Sequence, residues 1–287
     1  MTSQLVWLIT GTTSGLGRDL ALEALKRGEK VIATGRARSV TKLDELKAKG
    51  ADILELDVTA PLETLQDIAK KAVAIHGGST FWLIMQVTSL LVLLKKTRKP
   101  QETLDQFNTN VFGALNVSRA FLPHMRERKT GTIIFIGSIA GWQTLAYAGL
   151  YSATKLVLRG ISESLHAEIS PLGLRSIHFE FGYFRTSFLA PGQRAPQVYR
   201  IADYKQISEQ MEEALQKYNG NQPGNPLKGV EVMVDVVRGE GLAKGKPFPP
   251  FVGLGSDFYD AAKQESSKAL ACLEEWKDVS FSTDFKN

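Results

Sequence analysis

A chain of 287 residues, of which 43% are hydrophobic and 23% charged, can bury a sizeable core and corresponds to one large or two small domains. The net charge of +5 is spread along the chain without a run of basic residues, so we expect no nucleic-acid partner and no membrane partner. The single cysteine, Cys272, excludes an internal disulfide framework and a thiolate metal cluster. The first residues lack the basic region and long apolar core of a signal peptide. We therefore expect a cytoplasmic protein without a metal site.

Short apolar runs alternate with longer segments of helical periodicity along most of the chain. Strands separated by helices at this spacing predict parallel pairing through right-handed crossovers, and hence an α/β fold with a doubly wound parallel sheet. The predicted strands are "LVWLIT", "KVIATG", "ADILELD", "GTIIFIGS" and "LRSIHFEF", and the predicted helices cover about 16–28, 61–75, 101–126, 151–169, 201–218 and 257–275. No linker divides the chain, so we predict a single domain over 1–287, with a core over 5–189 and an elaborated C-terminal region over 190–287.

The stretch "TGTTSGLG", from Thr10 to Gly17, joins the first predicted strand to the first helix. Its glycines permit a sharp turn and a close approach of the backbone to a pyrophosphate at the helix N-terminus. The spacing differs from the usual G-x-G-x-x-G fingerprint, and a tight turn without a ligand is the alternative. The predicted nucleotide-binding residues of this loop are Gly11, Thr13, Ser14, Gly15, Leu16 and Gly17.

The residues after the second and third strands bear on the choice of cofactor. "ATGRAR" offers no carboxylate for a ribose 2′-hydroxyl, but Arg36 follows Gly35 directly and Arg38 is close by. Because a guanidinium holds a phosphate in a bidentate way, NADP(H) is favoured over NAD(H); a solvated surface arginine is the alternative. Asp57 either accepts a hydrogen bond from the adenine amino group or caps the following turn.

Three polar side chains form a candidate catalytic group. Ser138 in "IIFIGSIAG" lies just past the carboxyl end of a strand, where open α/β sheets bind ligands. Tyr151 and Lys155 in "YSATK" are four residues apart, so they share one helix face. A nearby cation favours the phenolate form of a tyrosine, which can then exchange a proton with a substrate oxygen. Taken singly, each of the three also fits an ordinary packing, turn or surface role.

Six motifs, "TGTTSGLG", "DVT", "NTNVFGALNVSRAF", "GSIAG", "YSATK" and "GYFRT", follow one another along residues 5–189. In combination they closely resemble the short-chain dehydrogenase/reductase family, and the C-terminal region is most similar to fungal-type NADP-dependent reductases. The resemblance implies a Rossmann-like fold, a small carbonyl or alcohol substrate, and a homodimer or homotetramer formed through the helices from Gln101 and Tyr151. It also implies that residues 190–287 form a substrate lid and C-terminal helices.

The resemblance also assigns roles to individual residues. It implies Asn110 as a fourth catalytic residue, which holds a water molecule that links Lys155 to solvent. It implies that Lys155 contacts the nicotinamide ribose, together with Tyr151, and that Gly182 and Thr186 contact the nicotinamide end. The family usually has proline before that glycine, and this chain has Phe181 instead.

The segment "STFWLIMQVTSLLVLLKK", from Ser79 to Lys96, departs from the family pattern. The resemblance places there a fourth strand that ends in Asn-Asn-Ala-Gly. Polar residues interrupt the apolar run, so the segment is too short for a spanning helix. As a strand it is acceptable by composition, and simple divergence is one interpretation.

The genetic code suggests a second interpretation of this segment. A gene for "GGIDILVNNAGYLL" from which the first base of the Ile codon is deleted encodes Gly-Ser-Thr-Phe-Trp-Leu-Ile-Met-Gln-Val-Thr-Ser, which is residues 78–89 of this chain. Family-like sequence resumes near Gln101, which implies a compensating insertion near Pro100. We therefore interpret residues 79–100 as a frameshifted reading of a normal family segment.

The sequence is compatible with three functions. The first is an NADP(H)-dependent oxidoreductase that interconverts a ketone or aldehyde and an alcohol, with Tyr151 as acid and base and Ser138 as stabilising group. The second is a catalytically impaired nucleotide-binding or regulatory protein, and the third is an isomerase or dehydratase built on the same tyrosine and lysine. Several apolar residues of the tail have two alternative roles, lining a substrate pocket or packing in the core. They are Phe184, Phe188, Leu189, Phe248 and Phe251.

Overall fold

The structure is a computed structural model that describes residues 4–76, 81–85, 100–144, 148–190, 203 and 205–285, with the backbone alone over 81–85. Seven strands and ten helices are found along these residues. The strands are β1 (Val6–Ile9), β2 (Lys30–Gly35), β3 (Asp52–Glu55), β4 (Phe81–Met85), β5 (Thr132–Ile136), β6 (Arg175–Phe181) and β7 (Phe251–Leu254). The helices are α1 (Gly15–Lys26), α2 (Asp44–Ala48), α3 (Leu62–Ile75), α4 (Pro100–Phe107), α5 (Gly113–Arg128), α6 (Gly149–Ile169), α7 (Lys205–Tyr218), α8 (Pro226–Arg238), α9 (Ser256–Glu275) and α10 (Lys277–Phe281).

The strands form one parallel sheet in the order β3-β2-β1-β4-β5-β6-β7. Val6 of β1 lies opposite Lys30 of β2 on one side and Phe81 of β4 on the other. Because the chain runs outward in opposite directions from β1 and β4, the sheet has its topological switch point between these two strands, where such sheets open a ligand crevice. The predicted α/β, Rossmann-like doubly wound sheet is confirmed.

Both faces of the sheet are buried, which explains why its strands read as continuous apolar runs. Trp7 and Ile9 point to one face, where they join a core formed with α1, α2 and α8. Val6 and Leu8 point to the other face, where they pack with α3, α5 and α6. Each fully buried large apolar side chain contributes about 1.5–3 kcal/mol relative to exposure.

Several predicted elements differ from the structure in detail. The helix predicted over 101–126 is two helices, α4 and α5, joined by one π-helical turn at Asn108–Phe112. The prediction missed α2, α8, α10 and β7, which are short or lie in the less periodic C-terminal region. Strand β4 pairs with β1 and β5, at the place in the chain where the resemblance predicts the fourth strand. The rest of the segment interpreted as frameshifted, residues 79–80 and 86–99, lies outside the described residues.

Helix α8 attaches the C-terminal region to the core. Arg27, the C-cap residue of α1, donates to Glu23 Oε1 at 2.7 Å and to Asp235 Oδ1 of α8 at 2.6 Å. Burial lowers the pKa of Arg27, but the hydrogen bonds and charges of Asp235 and Glu23 outweigh it and raise the pKa above its ordinary value. This network holds α8 against α1 on one face of the sheet. Within the described residues, no helix combines the length and the apolar character that a membrane-spanning segment needs.

Candidate active site

A cleft of about 310 Å³ lies at the carboxyl edge of the sheet. Residues from the stretches 10–16, 35–39 and 56–59 form one side, which we call the N-terminal wall. Residues from the stretch 181–189, with Met211, Leu215 and Gln222, form the opposite side, which we call the C-terminal wall. Ser138, Tyr151 and Lys155 lie in the same cleft, so the predicted catalytic group and most of the predicted nucleotide residues come together.

The loop after β1 turns into α1 through two glycines in the left-handed region, Gly11 (φ 71°) and Gly15 (φ 57°). Residues with a Cβ rarely adopt these angles, which explains the glycines at these two positions. Thr12 anchors the loop to β2, since its hydroxyl donates to Thr34 O at 2.9 Å. The loop is therefore held by the backbone of the neighbouring strand.

The N-terminus of α1 points its free amide groups toward the cleft without a competing anion. No acidic residue occupies the first turn, and the hydroxyl of the N-cap residue Ser14 makes no capping hydrogen bond. Thr13 and Leu16 line the cleft with the two glycines of the turn. Gly17 does not line it, and is instead buried in the first turn of α1. A helix N-terminus of this kind favours a phosphate.

The end of β2 brings one arginine into the cleft and leaves the other outside. Arg36 and Ser39 line the cleft, and the Ser39 hydroxyl donates to Arg36 O at 3.1 Å. Arg38 is exposed and does not line it. Asp57 also lines the cleft, while its Oδ1 accepts hydrogen bonds from Thr59 N at 3.0 Å and Thr59 Oγ1 at 2.8 Å. The turn-capping role of Asp57 is thus present; the contact with adenine stays a prediction.

Tyr151 and Lys155 form the centre of the site on the first turns of α6. Tyr151 is 7% exposed and Lys155 is 2% exposed. The Lys155 ammonium lies 5.4 Å from the centre of the Tyr151 ring and donates to Ile136 O of β5 at 2.7 Å. A buried ammonium of this kind is rare without a partner, and here one backbone carbonyl and one aromatic face supply the partners.

The buried carboxylate of Glu180 holds the backbone of Ser138 in place. The Ser138 amide donates to Glu180 Oε2, and Ser138 Oγ accepts from Ala140 N at 3.2 Å, which leaves the hydroxyl proton free for the cleft. Glu180 lies so close to Gly137 that a Cβ there would approach Oε2 to 2.1 Å, so only glycine fits. His178 Nε2 lies 3.1 Å from Glu180 Oε1 without hydrogen-bond geometry, and both side chains are almost fully buried.

The π-helical turn between α4 and α5 places Asn110 against α6. Asn110 is fully buried, and its Nδ2 donates to Thr154 Oγ1 of α6 at 3.1 Å. Its Oδ1 has no hydrogen-bond partner among the described residues. A buried carbonyl oxygen without a partner is a suitable acceptor for a water molecule. Asn110 itself does not line the cleft, whereas its neighbour Thr109 does.

The loop after β6 forms the start of the C-terminal wall. Phe181, which stands where the family usually has proline, is buried at the end of β6 and packs edge-on against Phe184 at 4.9 Å. Asp257 of α9 accepts a hydrogen bond from Tyr183 N at 2.6 Å. A Cβ on Gly182 would come within 2.1 Å of Asp257 Oδ1, so the carboxylate lies directly on this backbone. The loop is therefore fixed by a residue from the far end of the chain.

The sequence also matches known proteins. A family model described as short chain dehydrogenase matches residues 5–197. The chain belongs to the short-chain dehydrogenase family. Oxidoreductase claN of Passalora fulva is 33% identical over 190 residues, which cover 66% of this chain and 86% of the relative. A short-chain dehydrogenase from Streptomyces avermitilis superimposes with a TM-score of 0.86 at 31% identity, over 99% of this chain and 100% of the other.

As a member of the short-chain dehydrogenase family, the protein is an oxidoreductase that acts on CH–OH groups. A more distant structure, a variant of actinorhodin polyketide ketoreductase, was solved with NADPH. It is 24% identical and superimposes with a TM-score of 0.71 over 88% of this chain and 97% of the other. At that identity the likeness concerns the fold alone.

The apolar residues singled out in the tail divide between the cleft and the core of this short-chain dehydrogenase. Phe184, Phe188 and Leu189 line the cleft, and the Phe188 ring lies 6.2 Å from that of Tyr151. Phe248 and Phe251 do not line it: Phe248 stacks on His166, and Phe251 belongs to β7. Thr186 lines the cleft, and its hydroxyl accepts from Phe188 N at 3.3 Å.

Reasoning from the sequence missed several polar residues of the site, among them Glu180, Asp257 and Gln222. Glu180 carried a usable signal, because a carboxylate between Phe179 and Phe181 in a buried strand needs a partner. Asp257 looks like an ordinary acidic residue in the first turn of a helix. The sequence does not indicate that Gln222 belongs to the site, because its position depends on contacts with a distant loop.

Proposed function

We propose that the protein is an NADP(H)-dependent oxidoreductase that interconverts a ketone or aldehyde and an alcohol, with Tyr151 as the acid and base. The observation that carries this proposal is the buried Lys155 ammonium, 5.4 Å from the Tyr151 ring, on the same face of α6 and in the same cleft as Ser138. An ammonium at this position stabilises the phenolate that remains after a proton is given away.

Each catalytic side chain then has a separate task. The Ser138 hydroxyl donates a hydrogen bond to the substrate oxygen and orients it. In the direction of reduction, the Tyr151 hydroxyl gives its proton to that oxygen, and the resulting phenolate recovers a proton through Lys155 and the water at Asn110. When bound, the nicotinamide supplies the hydride that the carbonyl carbon receives. The carbonyl substrate thus gains one hydride and one proton and becomes the alcohol, which completes the two-electron reduction.

The residues of the N-terminal wall are suited to NADP(H). The N-terminus of α1 offers free amides and no acidic side chain to a pyrophosphate, next to the turn at Gly11 and Gly15. Arg36 lines the cleft beyond β2, where a 2′-phosphate needs a cation. On the other wall, Gly182 and Thr186 adjoin the position that the nicotinamide end would take.

Turnover of ketones by the Tyr151→Phe variant tests this proposal. We expect NADPH oxidation with simple aryl ketones by the native chain, and a decrease of about 10³-fold in kcat for the variant, because general acid catalysis typically contributes 10²–10⁴-fold. NADPH affinity should change far less than kcat, because Lys155 keeps its contact with the nicotinamide ribose. Tyr259→Phe, which removes an exposed hydroxyl on α9, is the matched control and should leave kcat unchanged. Equal turnover by the Tyr151→Phe variant would refute the proposal.

A catalytically impaired nucleotide-binding protein is the second candidate. Two observations favour it: the departure from the family pattern over residues 79–100, and Phe181 at the position usually held by proline. The same assay separates the two candidates, since tight NADPH binding without turnover of any ketone or aldehyde supports this one.

We also propose that part of residues 190–287 closes over the substrate.

We further propose that the protein assembles as a homodimer or homotetramer. The assembly is supported by exposed apolar side chains on the helices named for it: Leu104 on α4, Phe112 in the π-helical turn, and Leu156 and Val157 on α6. Sedimentation of the native chain tests the assembly. Substitution of Leu156 and Val157 by serine should yield monomers.

A further inference from the structure

Helix α9 runs off the body of the protein along its length. Phe258 and Ala261 in its first turns are buried, and Ala262 and Glu265 are half-buried. Every residue over 266–285 is exposed. Six of these are large apolar side chains, each at least 57% exposed: Leu270, Leu273, Trp276, Val279, Phe281 and Phe285. Because helices in water owe most of their stability to the packing of an apolar face, this segment needs a surface to pack on.

The side chains of α9 follow a heptad pattern that links its buried part to its exposed part. Alternate steps of four and three residues connect Phe258, Ala262, Glu265, Ala269, Cys272 and Trp276. Residues at this spacing lie on one face of a helix, as in a coiled coil. The face that packs on the body therefore continues beyond it. We call the exposed continuation, formed by Ala269, Cys272, Leu273 and Trp276, the α9 seam.

The charges beside the α9 seam are ordered along the helix. Lys268 directly precedes Ala269, and Glu275 directly precedes Trp276, so both flank the seam on the same edge. If two copies of α9 pair antiparallel, this edge meets its own reverse, and Lys268 lies opposite Glu275 of the partner subunit. A parallel pair would instead place Lys268 opposite Leu273 of the partner subunit. The order of charges thus matches an antiparallel pair of identical helices.

The net charge of the segment does not suit a membrane surface. Between Ser256 and Phe285, acidic residues outnumber basic residues by seven to three, although the whole chain has a net charge of +5. Helices that lie on membranes carry lysine and arginine on the polar face, because lipid headgroups are often anionic. A second copy of the chain therefore fits this segment better than a lipid surface.

We propose that the α9 seam is an interface between two copies of this chain, in which two α9 helices pair antiparallel about a twofold axis. Ala269 packs against Cys272 of the partner subunit, and the charged pair of Lys268 and Glu275 forms twice, once on each side of the axis. This contact is separate from the one proposed on α4 and α6, and it does not depend on the proposed reaction. Because the seam is short, the contact alone has a Kd of about 10–100 µM, as weak interfaces do.

Sedimentation at increasing protein concentration tests the proposed interface. The Leu156→Ser/Val157→Ser variant isolates the seam, because it lacks the other apolar surface. We expect this variant to be monomeric when dilute and to form dimers above about 100 µM. Adding Leu273→Ser should raise the Kd of this association at least tenfold, because a central apolar side chain is removed. Leu242→Ser, which removes an exposed leucine outside the seam, is the matched control and should leave the Kd unchanged.

A charge exchange tests the antiparallel register. Lys268→Glu and Glu275→Lys each create two like-charged pairs across the axis, so each should raise the Kd about tenfold. The double variant restores opposite charges and should return the Kd to near the native value. Lys268 also donates to Glu265 Oε1 at 2.8 Å, but loss of that contact would not be rescued by the change at Glu275. Lys263→Glu and Glu274→Lys, away from the seam, are the matched controls.

Cross-linking of the native chain provides an independent readout. Cys272 is the single cysteine of the chain and is exposed, and the proposed register places it beside the twofold axis. A short bis-maleimide should join two native chains, and Leu273→Ser should lower the yield of the cross-linked dimer. Association that is insensitive to Leu273→Ser and to both charge changes overturns the proposal. Binding to phosphatidylcholine vesicles in place of self-association also overturns it, whatever the result for Tyr151→Phe.

Discussion

The two walls of the cleft are built in different ways. The N-terminal wall is held by backbone geometry and by contacts between neighbouring strands, such as the hydrogen bond from Thr12 to Thr34 O, 22 residues apart. The C-terminal wall is held by side chains from remote parts of the chain. Asp257 binds Tyr183 N from 74 residues away, and Arg185 binds the Gln222 carbonyl from 37 residues away.

This difference explains why the N-terminal wall has a recognisable sequence motif and the C-terminal wall does not. A phosphate-binding turn requires glycines and a helix N-terminus at fixed spacing, because the backbone itself is the ligand. A wall of apolar side chains is specified by shape, and many sequences satisfy the same shape. We therefore expect substitutions on the two walls to separate cofactor affinity from substrate turnover.

The largest expected effect concerns residues 79–100, which include the central strand β4 at the switch point between the two halves of the sheet. Genomic DNA across these codons should encode Asn-Asn-Ala-Gly in the alternate frame, and bases incompatible with it would contradict the frameshift interpretation. Replacing the segment by the alternate-frame translation should raise soluble yield, and it should strengthen NADPH binding by about 100-fold or more, the combined effect of several restored hydrogen bonds.

The control for this replacement is the native chain prepared in parallel. If the expressed chain carries the frameshifted segment, we expect it to melt with less cooperativity and to bind NADPH more weakly than the repaired chain, since the segment lies at the middle of the sheet. Cooperative melting and tight NADPH binding by the native chain would show that the segment is a functional sequence.

The next largest effect is expected at the carboxylate that holds the C-terminal wall. Asp257→Ala removes the acceptor for Tyr183 N and should lower kcat/KM by about 30-fold, because hydrogen bonds to charged groups contribute about 1.5–3 kcal/mol. Steady-state kinetics measures the change. NADPH affinity should change less than kcat/KM, because the proposed phosphate contacts lie on the opposite wall.

Two variants control the experiment on Asp257. Asp257→Asn keeps an oxygen that accepts from Tyr183 N and should recover most of the activity. Asp260→Ala removes an exposed carboxylate from the same helix and should have no effect. If Asp257→Ala weakened NADPH binding as strongly as it lowered turnover, the two walls would not be separable.

The smallest effect is expected at the N-terminal wall. Arg36→Met should raise the Kd of NADPH by about tenfold and leave the Kd of NADH nearly unchanged, since a charge-assisted contact with the 2′-phosphate is removed. Fluorescence titration of both cofactors measures the change. Arg38→Met, which removes an exposed arginine outside the cleft, is the matched control. Equal weakening of both cofactors would contradict a role in phosphate recognition.

Much of the fold could be predicted from periodicity, and the limits of that prediction have physical causes. The strands were recognisable because both faces of a parallel sheet are buried. The break at Asn108–Phe112 was not, because the residues fit a continuous helix; only the folded chain shows the π-helical turn, in which Asn110 contacts Thr154. Strand β7 is only four residues long and finds its place through pairing with β6.

The sequence by itself determined the family, the parallel sheet and the chemical group of Ser138, Tyr151 and Lys155, because these depend on local spacing along strands and helices. Tertiary structure alone decided which polar groups support that chemistry. Glu180 behind Ser138 and Asp257 on the Tyr183 amide acquire their roles from contacts between distant segments. Such contacts leave no periodic signal, since they arise only when the folded chain brings those segments together.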